Sequence, residues 1–409
     1  MKTPNLSRRS FLEAGSATAA SLAMAQGASA ATEPRVSVPR AIGQPMRSNV
    51  QLPTTPPLPR RADSVGFAII GLGGYALNQM MPRFALAQRS HIAAIVSGNP
   101  EKLKQVGDAY GVPPDARYTY DSFDAIADDK RVEAVYIVLP SGLHAAWTEK
   151  AFAAGKHVLC EKPMALSSEE CARMIAAAER AKRKLMIAYR SYFEPHNRLA
   201  MALMAQKALG PLRLLRADHS YRMGPVTPAQ NWRLDRALAG GGPLEDLGIY
   251  GLQAALYLTQ EVPELITAST YQPEGDARFT QIFAHVGAQL RFPSGAVAQL
   301  STSYDAAGAN TVSARGATGV LTMDPATSYS GQKMRLEQAG QAGRDLTPGD
   351  PDVQFAGQLD HFADAIRDGG QIKTPGQMGL RDVRLMEAIY ASARTGRYVR
   401  LNPDGTMLD

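Results

Sequence analysis

Asp246 and Tyr250 stand four residues apart at the start of an apolar helical run, Gly248 to Leu258. That spacing puts both side chains on one helix face. A tyrosine hydroxyl can carry the proton that moves when an alcohol becomes a carbonyl. A free phenol ionises at about pH 10, so near neutral pH the exchange needs a cation beside it. Lys162 offers one. It ends the run Gly155-Lys156-His157-Val158-Leu159-Cys160-Glu161-Lys162-Pro163, where Pro163 prevents regular continuation of a short apolar strand. A lysine fixed at a strand end can lower the pKa of a neighbouring acid and polarise a hydroxyl. The plain alternatives are a core tyrosine, a helix-capping Asp246 and a solvated lysine.

A second constellation, Gly71-Leu72-Gly73-Gly74-Tyr75-Ala76, follows the apolar strand Val65–Ile70 and opens a helix. Strand, glycine turn and helix together form a dinucleotide-binding arrangement. Gly71 permits the turn, Gly73 lets backbone approach a pyrophosphate, Ala76 allows close packing, and the helix N-terminus meets the phosphates. The next strand ends at Ser97 where an NAD site has a carboxylate, and Lys102 lies a turn later. A serine and a lysine suit a 2′-phosphate, which favours NADP. His144, in Leu139-Pro140-Ser141-Gly142-Leu143-His144, is placed either against the nicotinamide ribose or as a helix cap. The seven histidines show no ligand spacing, and no Cys/His cluster exists, so no metal site is expected.

These residues need a scaffold. Strand and helix patterns alternate from 64 to 188: strands at 65–70, 91–96, 134–139, 157–160 and 185–188, with helices near 76–87, 101–110, 122–128, 144–154 and 168–182. This predicts an α/β doubly wound parallel sheet, the Rossmann arrangement, over residues 63–188. Ligands of such sheets sit beyond the strand C-termini, which gathers Ser97, Pro140 and the Glu161–Pro163 turn. After 189 come strand patterns at 212–222, 264–272, 281–292, 296–305 and 310–323, then helices at 354–367 and 378–395. Residues 189–409 are expected to form an α+β domain with a large, mostly antiparallel open sheet.

The chain has 409 residues and a net charge of +6, with its basic residues scattered. That excludes a nucleic-acid face. Ser7-Arg8-Arg9-Ser10-Phe11-Leu12, an apolar stretch from Ala14 to Ala25, and Ala28-Ser29-Ala30 read as a twin-arginine signal over residues 1–30. Glu13 replaces the usual lysine. The stretch is too short for a membrane anchor. The expected location is the periplasm, reached by folded export through the twin-arginine machinery. Free nicotinamide nucleotide has no obvious supply there, so the cofactor should travel bound. Residues 31–62 carry seven prolines and no period, which predicts an extended arm. Cys160 and Cys171 are expected as two buried thiols.

Several stretches resemble one family: Val96–Asn99, Gly155–Pro163, Leu185–Arg190, Gln230–Leu234, Ala239–Tyr250 and Met323–Thr327. It is the family of glucose–fructose oxidoreductase, inositol dehydrogenase and rhizopine-catabolism enzymes. Tyr250, where many relatives carry histidine, is the pattern of the glucose–fructose oxidoreductase group. The resemblance implies tightly held NADP, Lys162 and Tyr250 as catalytic pair with Asp246 in support, and Trp232-Arg233 near the cofactor. The expected nucleotide contacts are Gly71, Leu72, Gly73, Gly74, Tyr75, Ser97, Lys102, Leu139, Pro140, His144, Glu161, Lys162, Arg190, Trp232 and Arg233. The segment Tyr221–Gln230 would line a sugar site. The arm would wrap a partner subunit in a homodimer or homotetramer. The implied activity oxidises an aldose at C1 to the aldonolactone and reduces a second sugar to the alditol. The alternatives are an NAD-dependent glycoside hydrolase of the same fold, which Ser97 and Tyr250 oppose, a dehydrogenase that exchanges its cofactor, and a non-catalytic cofactor-binding scaffold.

Overall fold

The computed structural model describes Met46, residues 49–57 and residues 61–408. The signal segment and much of the arm lie outside the described residues.

The first sheet holds β1 (Val65–Ile70), β2 (Ser90–Val96), β3 (Arg117–Tyr118), β4 (Ala134–Ile137), β5 (His157–Cys160) and β6 (Leu185–Ile187). All neighbours pair in parallel, in the order β3-β2-β1-β4-β5-β6. β1 and β4 are buried throughout because helices cover both faces. Among those helices are α1 (Pro100–Ala109), α2 (His144–Ala153) and α3 (Ser168–Ala181). The strand order reverses between β1 and β4, and the chain leaves both strands toward one crevice.

The helix expected at 76–87 is present but irregular. Ala76–Met80 forms a π turn and Met81–Leu86 a 3-10 turn. Pro82 has no N–H to donate, so the regular ladder cannot run through it. The Arg83 guanidinium bonds the carbonyls of Asn78 and Gln79 instead, at 3.3 and 2.9 Å.

The second domain begins with α4 (Pro195–Ala205), which the sequence pattern did not reveal. Its sheet contains β7 (Leu212–Ser220), β8 (Leu265–Tyr271), β9 (His285–Arg291), β10 (Val297–Ser303), β11 (Ala309–Gly316), β12 (Gly319–Met323), β13 (Met334–Gln338), β14 (Arg344–Leu346) and β15 (Val399–Arg400). The order is β14-β13-β12-β11-β7-β10-β9-β8-β15. Only the β7–β10 pair is parallel, so the sheet is mostly antiparallel, as expected. The single strand anticipated at 310–323 is a hairpin. Its turn is pinned by Ala317 and Thr318 N–H groups bonded to the Pro211 and Leu209 carbonyls.

A one-turn helix, α5 (Arg236–Ala239), precedes α6 (Ile249–Thr259), which lies on the inner sheet face. Gly251 makes that approach possible: a Cβ there would stand 3.0 Å from the Ala217 methyl. The closing helices are α7 (Val353–Asp368) and α8 (Gly376–Thr395). Both cysteines are buried free thiols. Met46, Val50 and Leu52 of the arm pack on this chain's own core, and a Cβ added at Gly111 would stand 3.1 Å from the Pro56 ring.

Candidate active site

A cleft of about 1760 Å³ opens beyond the C-terminal ends of β1 and β4. Its floor is the glycine turn. Gly71 has φ +96°, and a Cβ there would meet the Val138 carbonyl oxygen at 2.3 Å. Only glycine fits. Side chains at Gly73 and Gly74 would meet nothing within 4 Å, so the backbone lies open to the cleft. Asn99 caps α1 by accepting the Lys102 N–H at 2.9 Å, with Pro100 in the first turn. The cap sets Lys102 beside the turn, where its amine donates to the Leu72 carbonyl at 3.1 Å. An open glycine backbone with an adjacent amine fits a dinucleotide, and the amine fits an added phosphate.

Leu72, Tyr75, Leu139, Pro140, Glu161, Lys162, Arg190, Trp232 and Arg233 also line the cleft. Two expected contacts do not. Ser97 is buried at the end of β2, its hydroxyl accepting from the Asn99 N–H at 3.3 Å. His144 lies beneath the wall. Both its ring nitrogens face backbone carbonyl oxygens at 2.9 Å, those of Pro163 and Leu139. It neither lines the cleft nor caps α2; it ties together the two loops that do.

The chemistry sits where the two domains meet. The loop Gly240-Gly241-Gly242 turns sharply before Asp246, with φ +78° at Gly240 and +115° at Gly242. A Cβ on Gly241 would stand 2.1 Å from the Tyr390 oxygen. The tight loop folds the Glu245 carboxylate back onto the Gly241 N–H and the Tyr390 hydroxyl, both at 2.8 Å. Burial pushes Glu245 up to about 7. The next residue behaves oppositely. Burial alone would raise Asp246, but Arg233, Lys162 and the Tyr304 hydroxyl outweigh it and hold it at about 2. Arg233 Nε is 3.0 Å from its carboxylate, and the Tyr304 hydroxyl donates at 2.9 Å.

Lys162 and Tyr250 do come together, though not by a direct hydrogen bond. Lys162 Nζ donates to the Asp246 carbonyl at 2.6 Å, stands 3.8 Å from its carboxylate, and lies 4.6 Å from the centroid of the Tyr250 ring. The Tyr250 hydroxyl instead receives a hydrogen bond from Arg190 Nη2 at 3.0 Å. His219 stacks on the same ring, centroids 6.0 Å apart at 28°. Burial, then Arg190 and Lys162, push that imidazole down to about 4, so it is neutral at ordinary pH. Its Nε2 reaches the Thr327 hydroxyl at 3.0 Å.

Sequence reasoning missed His219, Tyr304, Asn310, Thr327 and Tyr329 on the wall. Their signal was weak, because they belong to strand ends and loops that only the second sheet brings beside β5. It also missed Met46, Asn49 and Val50, which line the cleft from the arm of the same chain.

A model described as "Oxidoreductase family, NAD-binding Rossmann fold" matches residues 65–189, and a GFO/IDH/MocA C-terminal domain model matches residues 197–322. The chain is 31% identical over 338 residues to D-xylose 1-dehydrogenase (NADP(+)) 2 of Haloferax volcanii, covering 82% of this chain and 99% of that protein. It is 27% identical over 341 residues to dTDP-3,4-didehydro-2,6-dideoxy-alpha-D-glucose 3-reductase of Actinomadura kijaniata, covering 82% and 98%. The crystal structure of aldose-aldose oxidoreductase from Caulobacter crescentus complexed with glycerol matches with TM-score 0.80 and 47% identity, over 83% of this chain and 100% of that one. A glycine turn under one sheet, a lysine and tyrosine meeting at the edge of another, and these matches across both domains place the chain in the Gfo/Idh/MocA oxidoreductase family.

Proposed function

We propose that this chain is an NADP-dependent sugar oxidoreductase that retains its nucleotide. It oxidises an aldose at C1 to the aldonolactone and reduces the carbonyl of a second sugar to the alditol. The observation that carries this reading is the Lys162–Tyr250–Arg190 cluster at the mouth of the nucleotide cleft. The bound nicotinamide supplies the hydride acceptor and donor. The Tyr250 oxygen takes the proton of the anomeric hydroxyl in the first half and returns it to the new alcohol in the second. Lys162 and Arg190 stabilise negative charge while the proton is away. Asp246 fixes Lys162 and stays ionised, so it serves as an anchor rather than a proton carrier.

The wall near Tyr250 is built of hydroxyls, amides and aromatic rings: Tyr221, Asn231, Tyr304, Asn310, Ser328 and Tyr329. Arg233 is paired with Asp246, and both Nη groups of Arg190 are engaged within the protein. This chemistry suits an uncharged sugar better than a sugar phosphate or a nucleotide-linked sugar. The Caulobacter enzyme, an aldose-aldose oxidoreductase, supports an aldose in both roles. The Haloferax relative, an NADP-linked xylose dehydrogenase, supports the second reading, an enzyme that exchanges its nucleotide.

Incubating purified protein with a single aldose and no added nucleotide separates the readings. Equal amounts of aldonate and alditol are expected. Product only when NADP is supplied in stoichiometric excess would establish the exchanging dehydrogenase instead.

A further inference from the structure

We propose that Arg190 is a positioning residue for proton transfer, a buried cation that holds the Tyr250 oxygen and favours negative charge on it. The inference rests on the reading of Tyr250 as the proton carrier.

Arg190 follows β6 in a short 3-10 turn and is 4% exposed. Nη1 donates to Gln354 Oε1 at 2.5 Å and to the Ser328 carbonyl at 3.1 Å. Nη2 donates to the Thr327 carbonyl at 2.6 Å and to the Tyr250 hydroxyl at 3.0 Å. Three of these partners are neutral amide oxygens, and none of the four is a carboxylate. The guanidinium therefore keeps its full charge in a poorly hydrated place, which costs folding free energy. Of its four partners only the Tyr250 hydroxyl can become an anion. When that proton leaves, the neutral hydrogen bond becomes a charge-assisted one.

Lys162 is differently placed. Its amine is spent on Asp246, whose carboxylate offsets much of its charge. The titratable and charged groups facing Tyr250 are Lys162 beyond β5, Arg190 beyond β6, neutral His219 on β7, Asp246 a turn earlier, and the Tyr75 and Tyr329 phenols. Of these, Arg190 alone is a cation with a hydrogen bond to the oxygen. Its grip comes from the Thr327–Ser328 loop and α7, so packing of the second domain sets the hydroxyl position.

The test uses full-length, nucleotide-loaded protein and the variants Arg190→Met, Arg190→Lys, Gln354→Leu and Tyr250→Phe. Three quantities are read: nucleotide content, the pH profile of single-turnover reduction of the bound nucleotide by aldose, and the phenolate difference absorbance with Tyr250→Phe as blank. Arg190 also lines the nucleotide cleft, so variants are compared at equal nucleotide loading. The pH profile and phenolate signal of Arg190→Met should move together to higher pH by about one to three units. Arg190→Lys should restore most of the shift. Gln354→Leu, which loosens the guanidinium without touching the tyrosine, should shift both in the same direction by less. It decides the matter if Arg190→Met does not fold. A slower reaction with an unmoved pH profile and phenolate signal overturns the proposal and makes Arg190 a structural strut. Near-normal turnover in Tyr250→Phe overturns the underlying reading of the tyrosine, a distinguishable result.

Discussion

Tyr250→Phe keeps the ring on which His219 stacks and removes the oxygen that Arg190 holds. Loss of a general acid–base costs ~10²–10⁴ in rate. Both half-reactions should fall by that factor together, since one oxygen serves both, while nucleotide content stays at the wild-type level. Assaying aldose oxidation and sugar reduction separately on the loaded variant checks this. Unequal losses would mean that a different group carries the proton in one direction. The other acidic and basic groups nearby are poor substitutes. Asp246 is ionised down to about pH 2, and the His219 imidazole stays neutral above about 4. His144 has both nitrogens turned to backbone carbonyls beneath the cleft wall.

At the scale of elements, the helix that begins after Asn99 sets Lys102 on the cleft wall beside the glycine turn. Lys102→Ala should weaken NADP binding about tenfold to a hundredfold and leave NAD binding little changed, which equilibrium titration of stripped protein would read. Equal weakening of both would assign the lysine to the glycine turn alone. The Gly240–Gly242 loop makes a different prediction. Glu245 is raised from 4.5 to about 7 by burial. A raised acid stabilises the fold below its unfolded pKa, and that contribution is lost as pH rises through the folded one. Melting temperature should therefore fall between about pH 4 and 7 and level off above, with about 3 kcal/mol at stake. Glu245→Gln should flatten this slope, and an unchanged slope would show that other groups carry it. The glycine turn and the pairing of Asp246 with Tyr250 on one helix start were legible because backbone conformation and helix spacing are local properties, whereas Lys162 was joined to Tyr250 only through the family resemblance. Arg190 as partner of Tyr250 was not. Its contacts to Thr327, Ser328 and Gln354 span more than a hundred residues of sequence. The hairpin at 316–319 escaped for a similar reason, since it is pinned by the Leu209 and Pro211 carbonyls.

For the whole molecule, the decisive question is how a nucleotide site can stay loaded. A site that exchanges its cofactor needs an external pool. Under the proposed function, in which one nucleotide passes hydride between two sugars, none is needed, provided dissociation is slow. The residues at 46, 49 and 50 stand on the wall of the cleft, and Met46, Val50 and Leu52 bury apolar surface against the core of their own chain. A Cβ added at Gly111, just past the helix that carries Lys102, would stand 3.1 Å from the Pro56 ring. The described residues of the arm thus pack on their own chain, whatever the arm does toward a second subunit. We propose that it is a strap on the cofactor. Removing residues 31–57 withdraws these side chains, at roughly 1 kcal/mol for each half-buried one. With about 1.4 kcal/mol equal to a factor of ten, nucleotide dissociation should quicken at least about tenfold. The truncated protein should lose nucleotide on prolonged dialysis and recover full turnover when NADP is added back, because Lys162, Arg190 and Tyr250 are untouched. Measured mass in solution tests the separate expectation that the arm joins subunits. Truncated protein that keeps its nucleotide through dialysis would reduce the arm to a spacer and leave retention to the glycine turn and Lys102.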